Sequence, residues 1–175
     1  MDELKNQLCP VCGKKELTVM DREIEIPYFG QTFVFSMKCS SCDFSKADVE
    51  FAEEKDPVRI TFEVENEKDL YARVVKSSSA SVKIPTLRMN MDPGEGSEGF
   101  VTNVEGLIAR FEKILEIERD EAEDNDIRKK AKNLLKKIWK VKLGEAPMKI
   151  VIEDKTGNSA IVSEKAKIEK LKGKK

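Results

Sequence analysis

Four cysteines in two pairs are the residues of this chain whose type and spacing could do chemistry. The pairs are Cys9-Pro-Val-Cys12 and Cys39-Ser-Ser-Cys42, and the sequence holds no other cysteine and no histidine. The C-x-x-C spacing lets two thiolates of one tight turn face the same point, so two pairs can enclose one ion tetrahedrally. We therefore predict one structural Zn²⁺ bound by Cys9, Cys12, Cys39 and Cys42. An all-thiolate shell leaves no position open for substrate or water, so this metal is expected to stabilise the fold without catalysing a reaction.

Two other kinds of cysteine chemistry compete with a zinc site. Iron in a rubredoxin-like site also uses two C-x-x-C turns, but such a site is packed with aromatic side chains. This segment offers mainly Tyr28, Phe29, Phe33, Phe35 and Phe44. A catalytic dithiol would not need a second matched pair. Because the chain has no histidine, no Ser-His or Cys-His nucleophile can form.

Two further segments could bind phosphate, and both have a simpler interpretation. Residues 94–99 formally spell G-x-G-x-x-G, but Glu95 and Glu98 would repel the phosphates of a dinucleotide. We interpret this segment as a mobile loop. The run Lys76-Ser77-Ser78-Ser79 is interpreted as a solvated turn.

The composition limits the classes of partner and compartment. Charged residues make up 37% of the 175 residues, and 32 Lys and Arg nearly balance 33 Asp and Glu. The chain as a whole is therefore not a basic nucleic-acid binder. No segment approaches the roughly 18–20 apolar residues needed to cross a bilayer, and the N-terminus lacks the apolar run of a secretory signal. Without such a signal the chain is expected in the reducing cytoplasm and without membrane contact. In that compartment paired C-x-x-C motifs indicate metal binding more often than disulfides.

The segment between the cysteine pairs is predicted to be a β-hairpin that brings the pairs together. Glu16–Ile26 alternates loosely, residues 27–30 are typical of a turn, and Thr32–Met37 is rich in β-branched and aromatic residues. Residues 1–51 are accordingly predicted to form a zinc ribbon, with both C-x-x-C turns at one end of the hairpin.

Residues 52–163 are predicted to form a mainly β domain with an inserted pair of helices. Strands are predicted wherever apolar and polar residues alternate or short apolar runs occur: Val58–Glu65, Leu70–Lys76, Ala80–Ile84, Leu87–Met91, Met148–Glu153 and Ser159–Ser163.

The inserted helices are predicted at about residues 103–143 as a helical hairpin. Thr102 to Glu105 fits a capping box, and apolar residues then recur at three-and-four spacing. These residues are Val104, Leu107, Ile108, Phe111, Ile114 and Leu115 in the first helix, and Ile127, Ala131, Leu134, Leu135, Ile138 and Val141 in the second. Trp139 lies beside the second stripe, at the edge of a core or as an interface anchor. The lysine-rich tail, residues 164–175, is expected to be frayed or weakly helical.

In this order, these segments resemble the ZPR-type zinc-finger family in its single-unit, archaeal form. The resemblance rests on several stretches: Cys9 to Gly13, Phe33 to Cys42, Arg59 to Val64, Asp69-Leu70, Val74 to Ser77, Ile84-Pro85 with Leu87, Val104 to Leu107, and Asp154 with Gly157 to Ser159. It implies a four-cysteine finger followed by a double-stranded β-helix, or jelly-roll-like, domain that carries the helical hairpin. One departure is Asp43, which follows Cys42 where the family usually has glycine.

The resemblance also implies a partner, translation elongation factor one-alpha, and a chaperone-like role in its folding. It implies binding and not catalysis, so we expect a protein that is not an enzyme and has no small-molecule substrate. The alternative is a nucleic-acid-binding zinc ribbon of the transcription or translation machinery. Residues 1–51 argue against nucleic acid, because they hold six Lys and Arg against nine Asp and Glu and offer a poor surface for phosphate.

Overall fold

The computed structural model describes residues 2–26, 30–51, 55–94 and 96–171. Within these ranges it shows a mainly β protein with two helices: an N-terminal cysteine-containing sheet is followed by a jelly-roll domain into which a helical hairpin is inserted. The predicted fold class is confirmed.

The N-terminal sheet has four antiparallel strands in sequential order. They are β1 (Asp2–Gln7), β2 (Leu17–Ile26), β3 (Gly30–Cys39) and β4 (Ser45–Phe51). The central β2–β3 pair is the predicted hairpin, and its register runs without a break from Leu17 opposite Cys39 to Ile26 opposite Gly30. Residues 27–29 of the predicted turn lie outside the described part of the chain. The edge strands β1 and β4 were not predicted, because neither shows regular apolar alternation.

The jelly-roll is built from two antiparallel sheets that enclose one core. The first sheet has the order β12-β5-β10-β7-β8 and the second the order β11-β6-β9. The strands are β5 (Val58–Val64), β6 (Arg73–Lys76), β7 (Ser81–Ile84), β8 (Met89–Met91), β9 (Phe100–Asn103), β10 (Met148–Asp154), β11 (Ala160–Val162) and β12 (Lys167–Lys170). In the central strands β5 and β10, alternate residues are fully buried, as the alternation predicted.

Two of the predicted strands begin later than expected, because short 3₁₀ turns precede them. Glu67–Tyr71 is such a turn: the Asn66 side chain accepts a hydrogen bond from Lys68 N at 3.0 Å, and Asp69 Oδ2 accepts one from Asn66 N at 3.3 Å. These local bonds satisfy backbone groups that a strand would have used. Pro85–Leu87 forms the other turn, which ends at Arg88 in the left-handed region (φ 54°).

The helical hairpin lies between β9 and β10. It consists of α1 (Val104–Glu121) and α2 (Asn125–Lys142). The cap of α1 is Asn103, whose Oδ1 accepts a hydrogen bond from Gly106 N at 2.7 Å. The prediction of a capping box from Thr102 to Glu105 was wrong, because the cap lies one residue later and the glycine at its third helical position has no side chain to complete a box. Five of the six predicted stripe residues of α1 are buried, whereas Ile114 is 51% exposed. Trp139 of α2 is also on the surface, 62% exposed.

The expectation of a frayed or weakly helical tail was wrong for Lys167–Lys170. These residues form β12, which pairs antiparallel with β5 from Lys167 opposite Thr61 to Lys170 opposite Val58. An edge strand is held by its backbone, so exposed lysines are compatible with it and even protect the edge from further pairing. Lys165 pairs with the exposed Glu65 and the buried Asp69, and Lys170 forms an exposed pair with Asp56. Residues 172–175 lie beyond the described ranges.

Candidate metal centre

The four predicted cysteine sulfurs converge at one end of the N-terminal sheet. The Sγ atoms of Cys9 and Cys42 are 3.6 Å apart, those of Cys12 and Cys39 are 3.8 Å apart, and all four lie within 4.8 Å of one another. A tetrahedral ion with Zn–S bonds of about 2.3 Å requires sulfur–sulfur separations of about 3.8 Å. A disulfide would require about 2.05 Å, and all four cysteines are free. The group therefore has the size and the ligand atoms to hold one metal ion.

The first C-x-x-C turn is closed by backbone hydrogen bonds around Cys9. Cys9 N donates to Lys14 O at 2.9 Å, and Gly13 N donates to Cys9 O at 2.9 Å. Gly13 has φ of +69°, a conformation that glycine adopts without strain. The turn thereby points the Cys9 and Cys12 thiols to the same side.

The second turn reaches the same result without a glycine. Cys39 N donates to Phe44 O at 2.9 Å, and Ser41 N approaches Cys39 Sγ at 3.4 Å. Asp43, which stands where the resemblance leads us to expect glycine, does not have a positive φ. The departure at Asp43 is thus accommodated by a different backbone path and not by a strained residue.

The two turns are also tied to each other through Ser40. Its backbone N–H donates to Glu16 O at 3.1 Å and its hydroxyl donates to Glu16 Oε2 at 2.8 Å. Together with the Leu17–Cys39 register of the β2–β3 pair, these bonds fix the separation between the two turns.

The surroundings of the thiols are small and contain little aromatic material. Cys9, Cys39 and Leu17 are buried, Cys12 and Cys42 are half-buried, and Val19, Met37 and Phe44 pack against them. Of the aromatic residues that the sequence offered, Phe44 contacts this cluster and Phe33 is 38% exposed. Tyr28 and Phe29 fall outside the described ranges. The described surroundings therefore lack the aromatic packing expected of a rubredoxin-like iron site.

The surroundings of the thiols shift the pKa of Cys9 downward and the pKa of Cys42 upward. Burial raises the pKa of Cys9, but the backbone N–H groups of Cys12 and Val11 outweigh it and bring this pKa down to about 7. Hydrogen bonding with Cys12 and then burial raise the pKa of Cys42. Four thiolates cannot share this space without a positive charge between them, and a divalent ion deprotonates such thiols on binding.

A second polar cluster was missed by the sequence reasoning and lies in the jelly-roll. Ser77 and Ser79, interpreted above as a solvated turn, instead donate to the buried Asp154 carboxylate at 2.8 and 2.9 Å. Ser159 donates to the same carboxylate at 2.6 Å. The preceding residue, Lys76, is itself buried. Nothing in a run of one lysine and three serines indicates burial, because the acceptor comes from a strand far along the chain.

Comparison with known proteins identifies the family of this chain. Residues 3–57, which include all four cysteines, match the ZPR1 zinc-finger domain, and residues 68–174 match the ZPR1 jelly-roll domain. The chain belongs to the ZPR1 family. The ZPR1 jelly-roll match includes both helices and β12, so the helical hairpin and the final strand are parts of that domain.

Similar ZPR1 proteins occur in archaea and in eukaryotes. A ZPR1-like protein of Methanocaldococcus jannaschii is 39% identical over 94% of this chain and 83% of its own length. Another, of Pyrococcus horikoshii, is 37% identical over 98% of this chain and 78% of its own length. The zinc finger chaperone zpr1 of Schizosaccharomyces pombe is 32% identical over 88% of this chain but only 34% of its own length. The chain therefore corresponds to about four fifths of the two archaeal relatives and to about a third of the eukaryotic one.

Neither helix of this ZPR1 protein has the combination of length and apolar character needed to cross a membrane; this finding covers the described residues.

Proposed function

We propose that this protein is a zinc-stabilised, non-enzymatic interaction module that binds translation elongation factor one-alpha, or a related translation GTPase, and assists its folding. One Zn²⁺ bound by Cys9, Cys12, Cys39 and Cys42 would hold the N-terminal ribbon in shape. The observation that carries this proposal is the convergence of the four Sγ atoms to within 4.8 Å of one another on a ZPR1-type finger. The word chaperone in the name of the fission-yeast relative supports a protein client.

The domain division follows from the same proposal. We place the ribbon at residues 1–51 and the jelly-roll with its helical hairpin at 52–163, and the lysine-rich segment at 164–175 adds β12 to the jelly-roll sheet. The ribbon and the jelly-roll would contact the client jointly, in the reducing cytoplasm where free thiols persist.

The ionisable groups favour binding over catalysis. A general acid or base works best with a pKa near the operating pH. Among the described carboxyl groups, those with a resolved shift have a lowered pKa: Asp56, Asp69, Asp120, Glu153 and Asp154. These groups are held as carboxylates by hydrogen bonds or ion pairs, which suits structural roles.

The test uses the purified full chain with stoichiometric zinc and purified elongation factor one-alpha. Co-elution in size-exclusion chromatography, together with a higher yield of active factor on refolding from denaturant, is the expected result. Cys39→Ser, which removes one zinc ligand, should abolish both effects, whereas Ser41→Ala in the same turn should retain them. Absence of a complex with the zinc-loaded protein, under folding and refolding conditions alike, would refute the assignment of this client.

The same preparation distinguishes the nucleic-acid alternative. Binding through phosphate contacts weakens steeply as salt rises, because the contacts release counterions. The excess of acidic residues in the ribbon predicts no salt-sensitive binding of RNA by this part of the chain. Salt-sensitive RNA binding that Cys39→Ser abolishes would support the alternative.

A further inference from the structure

A cavity of about 830 Å³ lies between the N-terminal sheet and the jelly-roll. Ile24, Val34 and Val49 line it from the ribbon, and Lys76, Phe100 and Arg110 line it from the jelly-roll and α1. Gly99 stands where the two parts meet: a Cβ there would lie 2.8 Å from Val49 O and 3.1 Å from Lys76 O. The cavity therefore depends on the close approach of β4 to β6.

Two cations face one aromatic ring in this cavity. Lys76 lies opposite Phe100 in the β6–β9 register, its Nζ is 5.6 Å from the ring centroid, and the guanidinium of Arg110 is 4.0 Å from the same centroid. Lys76 is 1% exposed. Its ammonium group donates to Ser77 O at 2.9 Å, which uses one of its three hydrogens. Among the described residues, no carboxylate is within ion-pair distance of either Lys76 or Arg110.

The nearby carboxylates are already engaged by other donors. Asp154 accepts hydrogen bonds from four residues, namely Ser77, Ser79, Thr156 and Ser159. Asp48 accepts from the backbone N–H groups of Val49 and Gly99 at 2.8 and 2.7 Å. Glu98 Oε1 lies 3.9 Å from Lys46 Nζ. A buried ammonium group without an adjacent anion is costly, and burial accordingly lowers the pKa of Lys76, although Asp154 opposes this effect.

The remaining walls decide which anion fits. Ile24, Val34, Val49, Met91 and Val101 contribute apolar surface. Three acidic residues, Glu25, Asp48 and Glu98, balance the three cations that line the cavity, Arg73, Lys76 and Arg110, so the cavity neutralises a doubly charged phosphate less well than a singly charged group. A singly charged group on an apolar body satisfies both conditions.

We propose that this cavity binds a carboxylate with an apolar body, the carboxylate contacting the exposed Arg110 and lying near the buried ammonium group of Lys76, and the body lying against the walls shared by the ribbon and the jelly-roll. The carboxylate belongs either to a free organic acid or to the C-terminus of a polypeptide. This inference does not rest on the proposed client, because it follows from the cavity and its charges alone.

The test is calorimetric titration of the zinc-loaded full chain with octanoate, with octanol as the uncharged probe of equal length and inorganic phosphate as the compact anion. Saturable one-to-one binding of octanoate, without comparable binding of octanol or phosphate, is expected. Lys76→Met should weaken octanoate binding by about tenfold or more, because a buried positive charge beside the carboxylate is lost. The matched variant Lys149→Met changes an exposed lysine outside the cavity and should bind as the parent does.

Arg110→Gln keeps the test decisive if Lys76→Met fails to fold. Arg110 is exposed at the cavity edge, so its loss should weaken octanoate binding severalfold while the melting temperature stays near that of the parent. A parallel titration with a short apolar peptide, as the free acid and as the C-terminal amide, identifies the source of the carboxylate. Tight binding of the free-acid peptide alone assigns a chain terminus, and binding of octanoate alone assigns a free acid.

Three results would overturn the proposal. They are no binding of octanoate or of the free-acid peptide, equal binding of octanol and octanoate, and octanoate binding that both Lys76→Met and Arg110→Gln leave unchanged. The last result, combined with a lower melting temperature for Lys76→Met, would make Lys76 a structural counter-charge for Asp154.

Discussion

At the scale of single residues, the buried Asp154 carboxylate is the most highly coordinated polar group of the jelly-roll. It is fully buried and accepts hydrogen bonds from three serine hydroxyls and from both the N–H and the hydroxyl of Thr156. Burial raises the pKa of Asp154, but the donors outweigh burial and the net shift is downward. The carboxylate thereby joins the turn after β6 to the turn after β10.

Asp154→Ala should reduce the free energy of unfolding by about 3 kcal/mol, because several buried donors lose their acceptor at once. Urea unfolding at pH 7, followed by circular dichroism, measures the change. Asp120→Ala is the control, since Asp120 forms an exposed pair with Arg119 and should change stability by less than about 0.5 kcal/mol. Equal effects of the two substitutions would contradict the role assigned to this network.

The contribution of Asp154 should also depend on pH in one direction. Its pKa in the folded state is below the unfolded value of about 3.9. The stabilisation is therefore fully present above about pH 4 and is lost as the pH falls through the folded-state pKa. The difference in unfolding free energy between the parent and Asp154→Asn should be constant from pH 7 to about pH 5 and should shrink below pH 4. A difference that grows on acidification would refute this assignment.

At the scale of elements, the helices and strands with a regular spacing of apolar side chains were predicted from the sequence. Strands that lack such a spacing and are held by backbone hydrogen bonds were missed. The β2–β3 hairpin, β5, β10 and both helices were predicted from apolar periodicity, since one buried face imposes it. The strands β1, β4, β9 and β12 lie at sheet edges, where a strand needs no regular apolar face. Ile114 was predicted as core because it fits the apolar stripe of α1. It is exposed because the buried face of the helix is narrower than its apolar stripe.

Neighbouring positions of α2 should respond differently to truncation. Ile138 is fully buried in the jelly-roll core and Trp139 is 62% exposed. Ile138→Ala should cost about 3 kcal/mol through lost burial and a residual cavity. Trp139→Ala should cost less than about 1 kcal/mol, although it removes the larger side chain. Thermal melts of the two variants measure the contrast, and a larger loss for Trp139→Ala would mean that this helix packs differently.

Removal of residues 167–175 tests whether β12 is part of the sheet. The truncation uncovers the edge of β5 and removes its backbone pairing with β12. We expect a loss of roughly 1–3 kcal/mol and a greater tendency to aggregate, because an uncovered strand edge recruits other strands. Thermal melts and light scattering report the two effects. Replacement of Lys167 and Lys170 by serine, with the strand retained, should leave the melting temperature nearly unchanged and raise light scattering less than the truncation does.

At the scale of the whole molecule, the two parts differ in what stabilises them. The jelly-roll and its helices bury one continuous core, which extends from Ile60 to Ile161. The cysteine end of the ribbon buries little besides Leu17, Cys9 and Cys39. Such a small core cannot offset the entropy of ordering four strands. The sequence identified the four thiols because their spacing is a local pattern, whereas the cavity of Lys76 and Arg110 depends on contacts between the two parts.

Withdrawal of the metal should therefore unfold one part and spare the other. Structural zinc contributes about 10–16 kcal/mol in small finger peptides, so a strong chelator or Cys39→Ser should unfold the cysteine end of the ribbon. Amide hydrogen exchange should become fast in the cysteine turns and in β1, while β5 and β10 retain their protection. Ser41→Ala is the matched control and should leave exchange unchanged. Loss of protection throughout the chain would show that the jelly-roll depends on the ribbon.

The uninterrupted β2–β3 register sets a distance between the two surfaces that a client could contact. Leu17 lies beside the sulfurs and Ile24 lies at the cavity. Seven residues of strand at about 3.3 Å each separate them by about 23 Å. A single polypeptide segment that contacts both surfaces must span this distance of about 23 Å. An α-helix would need about fifteen residues to cover it. A client segment that contacts both surfaces would therefore need at least about seven residues if extended and about fifteen if helical.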